Sequence, residues 1–465
     1  MQDLMQDLMQ NSIQNLIQHL LNIKEFEYIK INNKFIHSHV STPYTIVKQM
    51  IDLIPNEMFY NKDYKWLDPG CGYGHFSIII YQKLFKSIRP FFIDDIETHN
   101  HIVENMIYMI DVNDNMIDHV KNLFGSNCNA TSLDFLQWNP DLKFDFIIGN
   151  PPYVIGTKKV PTNNKLKKNN DGTTCWHLFI KHAVDLLNAN KYLCFIVPSL
   201  WMRIDKANMY YYMNSYTILK LICYNNTESN KIFNKECQTP TSIFLLQNKK
   251  NNHDEKSISI YDQIENNYIY YRFKLNEPIP MFGASLIQLL QPYTNKYGSL
   301  INFVDKTNTP SKKANIVDVK DKEHIYHNVK TCLLNKNKPY LVYQYSNKPL
   351  AYYGIPKLIL SHKMYGFSYY DKDGKYGISS RDNYVICDLK HEELEILHNF
   401  FNNKIIILLF ECTRYRMKCL EKNIFELIPN ILKMHEFNFS LNFLFLQKKN
   451  INEFIERHIK NYEFF

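Results

Sequence analysis

Short apolar runs alternate with helically spaced stripes along the first 250 residues. Residues 65–68, 107–112 and 144–149, a short piece within 128–135, and residues 192–198 have the length and side chains of buried strands. Residues 75–85, 115–124 and 175–187 place apolar side chains about one helical turn apart and are expected to be helices. Two more strands are predicted at residues 219–224 and 242–247. Strands alternating with helices in this way predict an α/β fold: a doubly wound, mostly parallel, Rossmann-like sheet.

An earlier helix should follow Ser41-Thr42-Pro43, where a hydroxyl can cap and Pro suits the first turn. Its stripe is Ile46, Val47, Met50, Ile51 and Ile54. Before it, residues 1–22 repeat Met-Gln-Asp-Leu and then place Ile13, Leu16, Ile17, Leu20 and Leu21 at helical spacing. Residues 1–37 are expected to be an N-terminal helical extension, and residues 38–250 one catalytic-sized domain. Polar residues 248–257 suggest a linker. Residues 258–465 begin Tyr-rich and strand-like and turn helical from 391, predicting a mixed α+β C-terminal domain.

Length fits two domains: 465 residues with 45% apolar content can fill two cores. The ten cysteines form no C-x-x-C pair, which argues against a zinc knuckle or a dithiol redox site. Scattered thiols fit an intracellular protein, and the first residues lack the basic start of a signal peptide. No apolar run approaches the roughly 18 residues of a membrane span. Charge is uneven. Residues 258–465 hold 28 Lys+Arg against 21 Asp+Glu, a net +7, and residues 1–257 hold 26 against 25, a net +1. A basic C-terminal half suits a polyanionic partner or a lysine-rich solvated surface.

Chemistry concentrates where predicted strands end. Asn150-Pro151-Pro152-Tyr153 follows the apolar run 144–149. An exocyclic amine on an aromatic ring is a poor nucleophile because its lone pair is delocalised into the ring. An amide oxygen and a backbone carbonyl that accept its two hydrogens localise that pair. Two prolines stiffen the backbone that aims the carbonyl, and Tyr153 offers a face for a flat base. A strand followed by an ordinary proline turn is the plain alternative. Asp68-Pro69-Gly70-Cys71-Gly72-Tyr73-Gly74 places three of the chain's 13 glycines in five positions. Glycines there let the chain turn from strand to helix and touch a ligand closely. The G-x-G-x-G spacing departs from the dinucleotide fingerprint, and Asp111 comes later than that fingerprint's acid, about 20 residues on. Asp111 closes one predicted strand and can accept from ribose hydroxyls. Asp94 or Asp95, after Pro90-Phe91-Phe92-Ile93, is a rival. Asp134-Phe135 follows a third strand, with a carboxylate for an adenine amino group and a ring for its face.

Over residues 38–250 the chain resembles the class I, S-adenosylmethionine-dependent DNA adenine-N6 methyltransferases of the gamma motif order. That group is typical of restriction–modification systems and also occurs in large DNA viruses. The resemblance implies that Thr42 and Pro43 face the methionine end of S-adenosylmethionine. It makes Asp68, Pro69, Gly70, Cys71 and Gly72 the cofactor loop, Asp111 with Val112 the ribose contact, and Asp134 with Phe135 the adenine contact. Asn150, Pro151, Pro152 and Tyr153 become the catalytic motif, with Asn150 also beside the cofactor. Phe179, the run 195–199 and Ile232-Phe233 fall in the family's order, and Phe233 becomes a second ring against the base. Gly70 and Tyr73 depart from the usual loop, and the segment between residues 85 and 107 is longer than usual.

The activity implied is N6 methylation of an adenine flipped out of duplex DNA. Residues 258–465 would be the target-recognition domain, since residues 421–429 resemble that region in some members. A monomer is adequate for one flipped base, and a separate cognate restriction endonuclease is the further partner expected. Lys158, Lys159, Lys165, Lys167 and Lys168, just past the motif, are candidates to grip DNA phosphates. Arg272, Arg381, Arg414 and Arg416 are scarce arginines available for guanine or phosphate. Two other readings compete. One is transfer to a guanine N2 in RNA or a glutamine amide in a protein, on the same motif. The other is a catalytically idle DNA-binding protein.

Overall fold

A computed structural model describes residues 2–24, 40–155, 173–205, 207–311, 314–335, 338–362, 368–416, 420–435 and 449–458. The chain divides into two compact units. The first comprises residues 1–199 and 206–253, the second residues 200–205 and 254–465. Among the described residues no helix is long and apolar enough to cross a membrane.

The first unit is the doubly wound α/β sheet. Its strands are β1 (Trp66–Pro69), β2 (Ile107–Asp111), β3 (Asn129–Ser132), β4 (Phe144–Gly149), the two-residue pair β5 (Val154–Ile155) and β6 (Thr173–Thr174), β7 (Leu187–Pro198), β8 (Tyr216–Tyr224) and β9 (Thr241–Lys250). Within this unit the strands of the main sheet run β8-β9-β7-β4-β1-β2-β3. The ladders from β3 through β2, β1 and β4 to β7 are parallel, and β9 is antiparallel to both β7 and β8. Every residue of β1 and β4 is buried, as expected of central strands covered on both faces. Trp66 stacks between Phe59 and Phe146, each ring centroid 4.9 Å away. Asp145 is the polar break in β4, and it is satisfied. It accepts from the Lys65 backbone N–H at 3.0 Å and from the Asn188 amide at 3.1 Å.

The helices are α1 (Gln2–Asn22), α2 (Tyr44–Ile51), α3 (His75–Ile88), α4 (Asp95–His101), α5 (Asp114–Phe124), α6 (Trp176–Leu186), α7 (Met209–Asn214) and α8 (Asn226–Ile232). The N-terminal extension does not stand apart. α1 packs on α3, α4 and α5, buries Ile17 and Leu20, and is capped by the Gln82 amide donating to the Leu20 and Ile23 carbonyls. The expected linker is also largely strand: β9 runs to Lys250, and the next strand begins at Glu255. Lys249, Lys250 and Glu255 are exposed there, whereas Lys256 is buried in β10.

The second unit is mixed α+β. β10 (Glu255–Asp262) and β11 (Asn267–Lys274) form an antiparallel hairpin. One four-stranded sheet orders β12 (Asp305–Lys306), β19 (Asn383–Ile386), β16 (Lys357–Ser361) and β17 (Ser368–Asp371). The other orders β13 (Ile316–Val317), β15 (Lys338–Ser346), β14 (Tyr326–Asn335) and β18 (Gly377–Ile378). Val329, Ile359, Ile378 and Val385 pack as a core from both sheets. Helices follow at Ala284–Tyr297, His391–Phe401, Lys404–Cys412, Ile431–His435 and Lys449–His458. Arg414 pairs with Glu411, and Arg203 and Arg416 both reach Glu421, so three scarce arginines carry internal ion pairs.

Candidate functional site

β1 is the first strand of the sheet, and the chain builds outward from it twice, to β2 and β3 on one side and to β4 on the other. That reversal makes the carboxyl ends of β1 and β4 a topological switch point, where open α/β sheets bind ligands. The glycine turn leaves β1 there and Asn150 leaves β4. The two edges are close: a Cβ on Gly149 would lie 3.4 Å from Asp68 Oδ1.

The turn after β1 needs its glycines. Gly70, Gly72 and Gly74 have φ of +94°, +53° and +80°, and Gly74 opens α3. The loop is fastened to the end of β2. Gly70 and Cys71 N–H groups donate to the Ile110 carbonyl at 2.6 and 2.9 Å. Gly72 N–H donates to Asp111 Oδ2 at 2.9 Å, and Asn113 N–H to Asp111 Oδ1 at 3.0 Å. The Asp111 carboxylate thus lies at the mouth of the turn with lone pairs left over. Val112, next to it, is 50% exposed, an apolar side chain available to the flat face of a ligand.

Asp68 is 1% exposed. Ser77 donates to its Oδ2 at 3.2 Å, and Oδ1 has no partner among the described residues. Burial, opposed by the Ser77 hydrogen bond and reinforced by the Asp111 charge, pushes its carboxyl up to about 8. Between an unfolded aspartate's value and about 8, the native chain holds a proton that the unfolded chain has released. This contribution to stability is complete below the unfolded value and is lost as pH rises towards 8. Asp68→Asn is therefore expected to gain in Tm relative to the wild type between pH 5 and 8, in cofactor-free protein. A Tm difference that stays constant across that range would show Asp68 to be ionised throughout.

Asn150 begins where β4 ends. Its amide Nδ2 donates to Thr42 Oγ1 at 3.1 Å, while its Oδ1 is buried without a partner among the described residues. The expected hydroxyl cap on α2 is thus corrected. Pro43 is the N-cap, no side chain caps the helix, and the Thr42 hydroxyl is occupied by Asn150. His75 Nδ1 lies 3.2 Å from the Thr42 carbonyl and 3.3 Å from Ser41 Oγ, tying the start of α3 to the segment before α2. Pro151 is buried and Pro152 half-buried. The half-buried Tyr153 donates its hydroxyl to the Ile196 carbonyl at 3.4 Å, and burial pushes the phenol up.

Two predicted residues have other settings. Phe233 is 1% exposed at the end of α8 and offers no open face to a base, because its ring fills the core. Phe135 is also buried, its ring 5.2 Å from Phe179 and 4.7 Å from His182, while exposed Asp134 accepts from Leu136 N–H. The rival ribose acids are accounted for locally. Asp94 caps α4 by accepting from Glu97 N–H at 2.8 Å, and Asp95 pairs with Arg89. Residues 156–172, with the five lysines, lie outside the described residues. Sequence reasoning missed Ser77, His75, Asn113 and Cys175. Each acts through a contact with a residue distant in sequence or through its backbone, and no local pattern announces such contacts.

Residues 83–233 match the family described as Eco57I restriction-modification methylase. That stretch includes Asp111, Asp134 and Asn150-Pro151-Pro152-Tyr153 and begins after the glycine turn. Modification methylase CviBIII of Paramecium bursaria Chlorella virus NC1A is 29% identical over 163 residues, 35% of this chain and 38% of that protein. Type II methyltransferase M.TthHB8I of Thermus thermophilus is 36% identical over 88 residues, 16% of this chain and 21% of that protein. The matches therefore span well under half the length of either relative. The solved type IIG restriction endonuclease BpuSI aligns with 90% of this chain and 61% of its own, at 11% identity and a TM-score of 0.40. The fold assignment rests on the strand order above, not on that likeness.

Proposed function

We propose that the chain methylates the N6 amino group of adenine in duplex DNA from S-adenosylmethionine, a reading supported by the match of residues 83–233 to the family described as Eco57I restriction-modification methylase. The observation that carries the reading is Asn150 Oδ1, a buried acceptor with no partner among the described residues, at the switch point of the sheet. Buried polar groups are nearly always paired, so an orphan at this place in the sheet calls for a water or a ligand to complete it. An amino group fits, because Asn150 Oδ1 accepts one of its hydrogens and the Pro151 carbonyl the other. With its hydrogens so held, the nitrogen keeps its lone pair for attack. Tyr153 supplies a stacking face. Adenine inside a duplex hides its N6 in the stack, so the base must be extruded to reach these groups.

The cofactor residues fit the same picture. The positive-φ turn at Gly70, Gly72 and Gly74 allows close approach, Asp111 has lone pairs for two ribose hydroxyls, and exposed Val112 suits the adenine face. Asp134 accepts from the adenine amino group, and Asp68 with Thr42-Pro43 faces the methionine end. When bound, the cofactor supplies an already activated sulfonium methyl. The chain's own residues then contribute positioning and the hydrogen bonds to the amine. Residues 258–465, with their net charge of +7, serve as the DNA-recognition domain, and the family's restriction-modification character makes a separate endonuclease the natural partner.

Transfer of labelled methyl from S-adenosylmethionine to unmethylated duplex DNA, followed by nucleoside analysis, tests this directly. N6-methyladenine is the expected product. Label in RNA or in a protein glutamine, with none in DNA, would assign a different amine. Cofactor binding without label in any acceptor would make the chain a binding protein.

Tyr153→Ala is expected to lower turnover about 5- to 150-fold, the range of one lost base–aromatic stack. Cofactor Kd, read by titration calorimetry, should stay within about twofold. Equal turnover in the two proteins would remove Tyr153 from the stacking role.

A further inference from the structure

We propose that Cys175 is a positioning residue for methyl transfer, holding two successive carbonyls of the catalytic motif so that the Tyr153 ring stays aligned with the amine acceptors. The inference rests on the reading of Asn150-Pro151-Pro152-Tyr153 given above. The Cys175 thiol donates to the Pro152 carbonyl at 2.9 Å, and its backbone N–H donates to the Tyr153 carbonyl at 3.1 Å. The residue is fully buried and occupies the N-cap of α6, yet its side chain makes no capping hydrogen bond. The thiol serves the motif instead of its own helix. Immediately beside it, the β5–β6 ladder pairs Val154 with Thr174.

The backbone explains why such a clamp matters. The proline rings fix φ at Pro151 and Pro152, and a following proline also restricts ψ at Pro151. The aim of Asn150 and of the Pro151 carbonyl is therefore largely built into the covalent chain. The torsions still soft are ψ of Pro152 and both torsions of Tyr153. Of these, ψ of Pro152 and φ of Tyr153 orient the Cα–Cβ bond that carries the stacking ring. A hydrogen bond to the Pro152 carbonyl sets the first, and one to the Tyr153 carbonyl sets the others, and both come from Cys175. Burial pushes the thiol up to about 11, so it is protonated and can donate at neutral pH.

Cys175→Ala deletes the thiol donor and keeps the backbone one. Cys175→Ser restores an O–H donor of similar reach. In the full chain, Cys175→Ala is expected to lower kcat between about 10- and 100-fold, the scale of a small misplacement of reacting groups. Its cofactor Kd should stay within about twofold and its Tm close to that of the wild type, and Cys175→Ser should recover most of the lost kcat. The infrared difference between wild type and Cys175→Ala should contain the S–H stretch of a hydrogen-bonded thiol. A free-thiol band, an unchanged kcat in Cys175→Ala, or a Cys175→Ser variant as slow as the alanine one would overturn the clamp. Absence of methyl transfer by the wild-type protein would overturn the catalytic reading instead, and the S–H band would still decide whether the clamp exists.

Discussion

Asn150→Ala is expected to lower methyl transfer by at least about 10²- to 10³-fold, the cost of deleting a preorganised hydrogen-bonding group at a reacting centre. The fall should lie in the chemical step, because the proposed role of Asn150 Oδ1 is to accept from the amine while Thr42 Oγ1 occupies the other end of the amide. Single-turnover rates with excess enzyme isolate that step. Cofactor Kd should change little, since the glycine turn and Asp111 are untouched. Stability gives a second readout. Removing the orphan acceptor gains about 1–3 kcal/mol, while stripping the buried Thr42 hydroxyl of its partner costs a similar amount, so Tm of the cofactor-free protein should stay close to that of the wild type. A variant of unchanged stability that binds cofactor and does not methylate places the residue in function. Undiminished single-turnover rates would sink the mechanism.

The architecture was legible where burial writes itself into composition. β4 is apolar at all but one position because it is covered on both faces, and its predicted span matches the observed one. The α5 stripe Met116, Ile117, Val120 and Phe124 is legible for the same reason on one face. The strands beyond β7 were visible as runs, but their antiparallel order was not, because direction depends on connections rather than on side chains. The rival Asp94 follows an apolar run that is not a strand: residues 89–91 form a short helical turn, and Phe91 and Ile93 are exposed. Phe233 is buried at the end of α8, and an aromatic at the right place in motif order does not tell how far its ring is exposed. At the site, the strand-end positions of Asp68, Asp111 and Asn150 were legible from pattern alone. What joins them was not. Thr42 and Asn150 are 108 residues apart, and a threonine before a proline gives no sign whether its hydroxyl caps a helix or holds an amide.

Asp111→Ala is expected to raise cofactor Kd about 10- to 150-fold, corresponding to roughly 1.5–3 kcal/mol for hydrogen bonds to a charged group. The carboxylate acts twice. Toward the protein, it receives the Gly72 and Asn113 N–H groups and so holds the glycine turn against the end of β2. Toward the ligand, the proposed role of its remaining lone pairs is to accept from ribose hydroxyls. Alanine removes both actions, while the Ile110 carbonyl still receives Gly70 and Cys71, so the turn loosens without being released. Asp111→Asn keeps the shape but loses the charge and one acceptor, and should fall between wild type and alanine. Asp94→Ala and Asp95→Ala are the controls. Asp94 is engaged in capping α4 and Asp95 in its pair with Arg89, so cofactor Kd should stay within about twofold in either variant. Calorimetric titration of all four variants decides between the acids. Weakened binding in Asp94→Ala alongside unchanged binding in Asp111→Ala would move the ribose contact to α4 and leave Asp111 a purely structural tether of the turn.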